Sequence, residues 1–194
     1  MRKAVFLDRD GVINEMVPSP EGPDSPRSVE EFRLLPGAGA AIKSLNDLGL
    51  PVVIVSNQPG IAKGKLCADD LAAMTDLMRN QLSETLAVID GVYYCLHHPQ
   101  AVNAEYRVVC DCRKPKPGLL TRAGQEMDLV LTGSYMVGDR PTDIRAGKTV
   151  GCTTLFVASG EVIERPAEAD YSCEDLVAAA RMIAHLERSS VAVH

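Results

Sequence analysis

Short apolar runs alternate with amphipathic stretches along the chain, and this alternation constrains the fold more than any other feature. Residues 3–7 (KAVFL), 51–55 (PVVIV), 91–95 (GVYYC), 134–138 (SYMVG) and 153–157 (TTLFV) have the length and composition of buried strands. Between them, a helix is expected from about residue 37 to 48, stopping before Gly49. The next is expected from Asp69-Asp70, whose charges suit a helix N-terminus, with Leu71, Met74, Leu77, Met78 and Leu82 on one face. Another should follow Pro117. The last is expected from Ser172, with Asp175 three residues on as in a capping box and Leu176, Ala180 and Ile183 buried. Strands separated by helices predict βαβ units, and so an α/β three-layer sandwich with a mostly parallel, Rossmann-like sheet. In such sheets ligands sit beyond the carboxyl ends of the strands, so site residues should follow strands directly.

Two stretches break the rhythm. Residues 12–32 hold Pro18, Pro20, Pro23 and Pro26, which predicts a stiff loop. Residues 96–116 carry cysteines and histidines. No repeat or linker interrupts the rest, so residues 1–194 read as one domain, with the tail from about Arg188 frayed. The net charge of -6 argues against general affinity for nucleic acid or anionic membranes. No run approaches a membrane span, and Met1-Arg2-Lys3 leads into a strand rather than a signal peptide. A cytoplasmic monomer with a small-molecule substrate is the expectation.

Asp8-Arg9-Asp10-Gly11 follows the first strand. Two carboxylates two residues apart emerge on one side of extended chain, where one can attack phosphorus and the other can move a proton. In isolation an Asp-Gly pair is equally well a polar turn. Ser56-Asn57-Gln58 follows the second strand and offers a hydroxyl and amides to phosphate oxygens. Arg113 and Lys114 can supply positive charge. Gly138-Asp139-Arg140 follows the fourth strand, with Asp139 a hard ligand suited to Mg²⁺ and Asp143 placed to brace it. Cys95, Cys110 and Cys112, with His97 or His98, supply enough ligands for a closed tetrahedral Zn²⁺ site. A closed site is structural, and would fold a loop that lacks apolar residues of its own.

The set DRDG, SNQ, RKP and GDRxxD resembles the four motifs of the haloacid dehalogenase superfamily of phosphatases. The resemblance implies Asp8 as nucleophile, Asp10 as general acid/base, and Ser56 and Lys114 as phosphate stabilisers. It further implies Asp8, the Asp10 carbonyl and Asp139 as Mg²⁺ ligands, and it favours Lys114 over Lys116. Within that superfamily, YYCxHHPQ, CDCRKPxPG and SNQxGIAxGK are similar to the D-glycero-D-manno-heptose 1,7-bisphosphate 7-phosphatases. That likeness implies no large cap domain, a phosphorylated sugar substrate, His97 as the zinc-binding imidazole in a loop over 95–112, and residues 12–32 as a specificity loop. It also implies Asn57, Gln58, Arg113 and Arg140 as substrate contacts, with carboxylate pairing an equal alternative for Arg140. One departure stands out: GDRPTD replaces the lysine and glutamate usual in the heptose enzymes and is similar to histidinol-phosphate phosphatases. Histidinol phosphate is therefore the second expected substrate, and a catalytically silent binding protein on the same fold is the third reading.

Overall fold

The computed structural model describes residues 2–20, 22–158 and 165–191. Its strands are β1 (Val5–Leu7), β2 (Val52–Asn57), β3 (Gly91–Cys95), β4 (Tyr135–Gly138), β5 (Thr153–Val157) and β6 (Tyr171–Cys173). They form one all-parallel sheet in the order β3-β2-β1-β4-β5-β6. Helices α1 (Ala38–Asp47), α2 (Ala68–Ser83), α3 (Gly118–Glu126), α4 (Pro141–Thr149) and α5 (Leu176–Val191) complete the three layers.

Strand alternation decides what each face buries. Val5 and Leu7 of β1, with Val52 and Ile54 of β2, belong to a core shared with Ile42 and Leu45 of α1, Met74 and Met78 of α2, and Ile183 of α5. Phe6, Val53 and Val55 point the other way, onto Leu119, Leu120 and Ala123 of α3 and Ala146 of α4. Each such side chain withdrawn from water stabilises the fold by about 1.5–3 kcal/mol. Burial on both faces is why these strands read as continuous apolar runs.

Three elements differ from expectation. Strand β2 runs on to Asn57, which carries Ser56 and Asn57 into the ladder opposite Tyr94 and Cys95. Ser172 does not start the last helix: it lies in β6, an edge strand too short to show a period. The cap is Asp175, whose Oδ1 accepts from the Ala178 amide at 2.7 Å. The same helix runs through Arg188 to Val191, past the point where the tail was expected to leave the fold, and residues 192–194 lie outside the described residues.

The proline-rich stretch is irregular, as expected, yet firmly held. Ile13 and Phe32 are fully buried, and Val17 and Asp24 form an antiparallel bridge. Asp24 also pairs with Lys65, which follows β2, and with Arg27 at 3.6 Å. Burial pushes the Asp24 carboxyl up, but the hydrogen bond and charge of Lys65 outweigh it and hold the group below its usual range.

Candidate active site

Four chain segments meet at the carboxyl ends of the central strands. Strand β1 delivers Asp8, whose backbone N–H donates to the Val137 carbonyl of β4 at 3.0 Å. Gly11, at φ 80°, lets the chain turn back after Asp10, and the Ile13 amide then donates to the Arg9 carbonyl at 2.8 Å. Lys114 enters from the loop before α3. Its Nζ lies 3.0 Å from Asp8 Oδ1 and 2.6 Å from Asp143 Oδ1, and it donates to the Val55 carbonyl at 2.7 Å. These partners use all three of its protons.

Asp139 ends β4 and is buried; Arg140 Nε stands 3.5 Å from its Oδ2 at the rim. Asp143 reaches back from the first turn of α4, accepting from the Arg140 amide at 3.0 Å. Only glycine at 138 permits this, because a Cβ there would lie 2.2 Å from Asp143 Cβ. One carboxylate oxygen from each of Asp8, Asp139 and Asp143 lies within 4.8 Å of the others. Three buried carboxylates against one ammonium leave surplus negative charge and hard oxygen donors, the chemistry that fits a small divalent cation. Burial works against the Lys114 charge, but Asp143 and Asp8 more than offset it and raise its pKa, so the ammonium stays charged. Asp143 was expected to brace Asp139. Its ion pair goes to Lys114 instead, a role sequence spacing could not reveal.

Around Asp10 the structure supplies partners that the sequence did not announce. Arg9 Nε donates to Asp10 Oδ1 at 2.9 Å and Arg9 Nη2 to Oδ2 at 3.2 Å. Asn14 Nδ2 donates to Oδ1 at 2.9 Å and Gln58 Nε2 to Oδ2 at 2.7 Å. Burial pushes the Asp10 carboxyl up; the Arg9 charge and these hydrogen bonds outweigh it and hold the group below its usual range.

Two of the expected substrate contacts have their side chains bonded inside the protein. Gln58 is buried and gives its amide to Asp10 and to Ser56 Oγ (3.1 Å) while accepting from Arg9 at 3.0 Å. Asn57 gives its amide to the Lys114 backbone, donating to its carbonyl at 3.1 Å and accepting from its N–H at 3.0 Å. Both side chains brace the groups beside them, Gln58 at Asp10 and Asn57 at Lys114. Arg113 Nη1 donates to the His97 carbonyl at 3.2 Å, which ties it to the cysteine loop. Lys116 lies well away, bonded to the Cys110 carbonyl and to Asp111 Oδ1, each at 2.9 Å.

That loop gathers Cys95, His97, Cys110 and Cys112, one ligand atom of each within 4.8 Å of the rest. Cys95 Sγ is 3.7 Å from Cys110 Sγ and 3.0 Å from Cys112 Sγ, and His97 Nδ1 is 3.3 Å from Cys112 Sγ. A tetrahedral metal with ordinary Zn–S bonds needs sulfurs about 3.8 Å apart, so the cluster fits with a small expansion. Burial pushes the Cys95 and Cys112 thiols up, and a cation that replaces their protons resolves the crowding. His98 Nδ1 instead accepts from the Gln100 amide at 3.1 Å.

This arrangement has close relatives. A family model described as "HAD-hyrolase-like" matches residues 111–181. The D-glycero-beta-D-manno-heptose-1,7-bisphosphate 7-phosphatase of Haemophilus ducreyi is 38% identical over 169 residues, covering 86% of this chain and 89% of that protein. The chain belongs to this family of HAD-like phosphatases. The Escherichia coli K12 member of the family is 37% identical over 166 residues, covering 85% of this chain and 84% of its own. The crystal structure of a D,D-heptose 1,7-bisphosphate phosphatase from B. bronchiseptica, complexed with magnesium and phosphate, superposes with a TM-score of 0.79 at 31% identity. It covers 94% of this chain and 98% of that one. As expected for such a phosphatase, the described residues form an α/β three-layer fold with no large cap among them. No helix among the described residues is long and apolar enough to cross a membrane.

Proposed function

We propose that the protein is a Mg²⁺-dependent phosphatase that removes the 7-phosphate of D-glycero-β-D-manno-heptose 1,7-bisphosphate through a phosphoryl group carried on Asp8. The observation that carries the reading is the Asp8–Lys114–Asp143 cluster beside Asp139 at the centre of the sheet edge. Relatives named for that substrate, which align over most of the chain, support the choice of sugar and anomer.

Mg²⁺, held by Asp8, the Asp10 carbonyl and Asp139, would neutralise phosphate charge and orient Asp8. The remaining chemistry belongs to side chains. An Asp8 oxygen attacks phosphorus, the bond from phosphorus to the C7 oxygen breaks, and Asp10, which takes up a proton from solvent as the phosphate dianion binds and one of its donors withdraws, delivers that proton to the departing alcohol. Asp10, now a carboxylate, takes a proton from water as the water attacks phosphorus. Inorganic phosphate leaves and the Asp8 carboxylate is restored. The Ser56 hydroxyl holds a phosphate oxygen, and Lys114 holds another by turning to it the proton that faces Asp8 in the free site. Zn²⁺ bound by Cys95, His97, Cys110 and Cys112 would be structural, fixing the loop from which Arg113 faces the sugar.

The test is phosphate release from both anomers of heptose 1,7-bisphosphate and from histidinol phosphate, with Mg²⁺ and with EDTA. Chelator-sensitive preference for the β anomer is the expected result. Preference for histidinol phosphate would transfer the reading to the substrate signalled by GDRPTD.

A further inference from the structure

The largest fully buried side chain is a charged one, Arg9, at 0% exposure between the two catalytic aspartates. A guanidinium in the interior is costly unless its hydrogen bonds and charge are met. Here Nε and Nη2 are met by the reaction machinery, while buried Nη1 has no hydrogen-bond partner. Two of its nitrogens grip the Asp10 carboxylate, Nη2 also donates to Gln58 Oε1, and the plane lies 5.7 Å from the Tyr94 ring centroid. Tyr94 is in turn fixed by a 3.0 Å contact between its hydroxyl and Thr75 Oγ1.

A carboxylate has about four acceptor positions, and in Asp10 the protein fills all of them: two from Arg9, one from Asn14 and one from Gln58. Proton exchange with a leaving oxygen therefore requires one donor to withdraw. The bonds differ in how readily they yield. Asn14 and Arg9 Nε hold Oδ1. On the Oδ2 side, Gln58 Nε2 already divides itself between Oδ2 and Ser56 Oγ, so it can release Oδ2 and keep a partner. Ser56 Oγ also marks the direction of the phosphate.

We propose that Arg9 is a positioning residue: with Gln58 as its link to Ser56, it anchors Asp10 through Oδ1 and aims Oδ2 at the leaving oxygen. The inference rests on the roles given above to Asp8 and Asp10. It assigns a function to the middle residue of DRD, and it makes Gln58 a relay between the phosphate-holding serine and the proton carrier.

The experiment compares first-turnover alcohol release from two esters, before hydrolysis of the phosphorylated Asp8 limits the rate. One is p-nitrophenyl phosphate, whose leaving group departs without a proton. The other is heptose 1,7-bisphosphate, or any alkyl phosphate that the wild type turns over, whose leaving group needs one. Arg9→Lys keeps the charge but loses the fork. It is expected to slow alkyl ester cleavage about a hundred-fold and p-nitrophenol release only a few-fold, since general acid catalysis contributes at least about that much. Gln58→Leu, which leaves the buried charge pair intact, is expected to show the same selectivity at smaller size. It decides the matter if Arg9→Lys does not fold. Equal losses on both esters in a folded variant, or no loss on either, would overturn the proposal. A wild type inactive on both esters would defeat the phosphatase reading instead, so the two failures are distinguishable.

Discussion

Two clusters sit over the same end of the sheet and are held in opposite ways. The carboxylate site stands on β1, β2 and β4, whose backbones are locked in a parallel ladder. Its groups hold one another through charge: Lys114 against Asp8 and Asp143, Arg9 against Asp10. The Cys/His cluster stands mainly on a loop. Only Cys95 belongs to a strand, while Val108 and Val109 nearby are exposed rather than packed. A sheet supplies position without a ligand; a loop without a core needs one. The first site should therefore tolerate loss of function without loss of fold, and the second should not separate the two.

The sharpest division is expected from Asp8→Asn. Activity should fall by at least about 10⁴-fold, as when a covalent nucleophile is removed, while the melting temperature stays near that of wild type. Joint collapse of activity and melting would break the contrast. Cys112→Ala comes next. It should release bound zinc, lower the melting temperature and cut activity about 10–100-fold, because Arg113 and Lys114 leave that loop directly. Metal analysis with kinetics on one sample checks this, and full activity in zinc-free protein would show that the sheet alone places Lys114.

A smaller effect is expected from Gly138→Ala, which sets a methyl against Asp143. Forcing Asp143 off Lys114 should cost about 1–3 kcal/mol in denaturant unfolding. A neutral outcome would mean that Asp143 has other room. The least is expected from Lys65→Ala, which unties the proline loop from the segment after β2. That half-exposed pair is worth under about 1 kcal/mol, so a few-fold rise in KM is the forecast. Its pH dependence has a definite sign. The Asp24 carboxyl lies below the ordinary aspartate value of 3.8, so the pair is intact above that pH and is lost only as pH falls through the lower folded value. Mild acidification to about pH 5 should leave KM unaffected by this contact.

The same contrast explains what the sequence made legible. Residues immediately after apolar runs, such as Asp8, Ser56 and Asp139, could be placed because strand ends fix their neighbours. The cysteine spacing announced the gathering of Cys95, His97, Cys110 and Cys112, because few other arrangements use three thiols and an imidazole so close together. Side-chain direction within the buried site was not legible. Nothing in the spacing of Arg9, Gln58 and Asn14 says that all three converge on Asp10, or that Asp143 turns to Lys114. Those choices follow from which donors remain once the backbone is placed. Ser172 misled for a related reason: a three-residue edge strand has too little length for a period, so the nearest capping signal prevailed over the true cap at Asp175.

The sheet order has a consequence for how the molecule comes into being. Strand β1, the earliest in the chain, lies between β2 and β4, pairing Val5 with Val52 on one side and Tyr135 on the other. On the ribosome its apolar face must wait for both neighbours, the second of them more than a hundred residues later. Asp8, the proposed nucleophile, is thus made almost first and enclosed almost last. A nascent chain halted before β4 would carry Asp8 with no Asp139 or Asp143 beside it, so phosphatase chemistry cannot begin until the sheet has closed around its oldest strand.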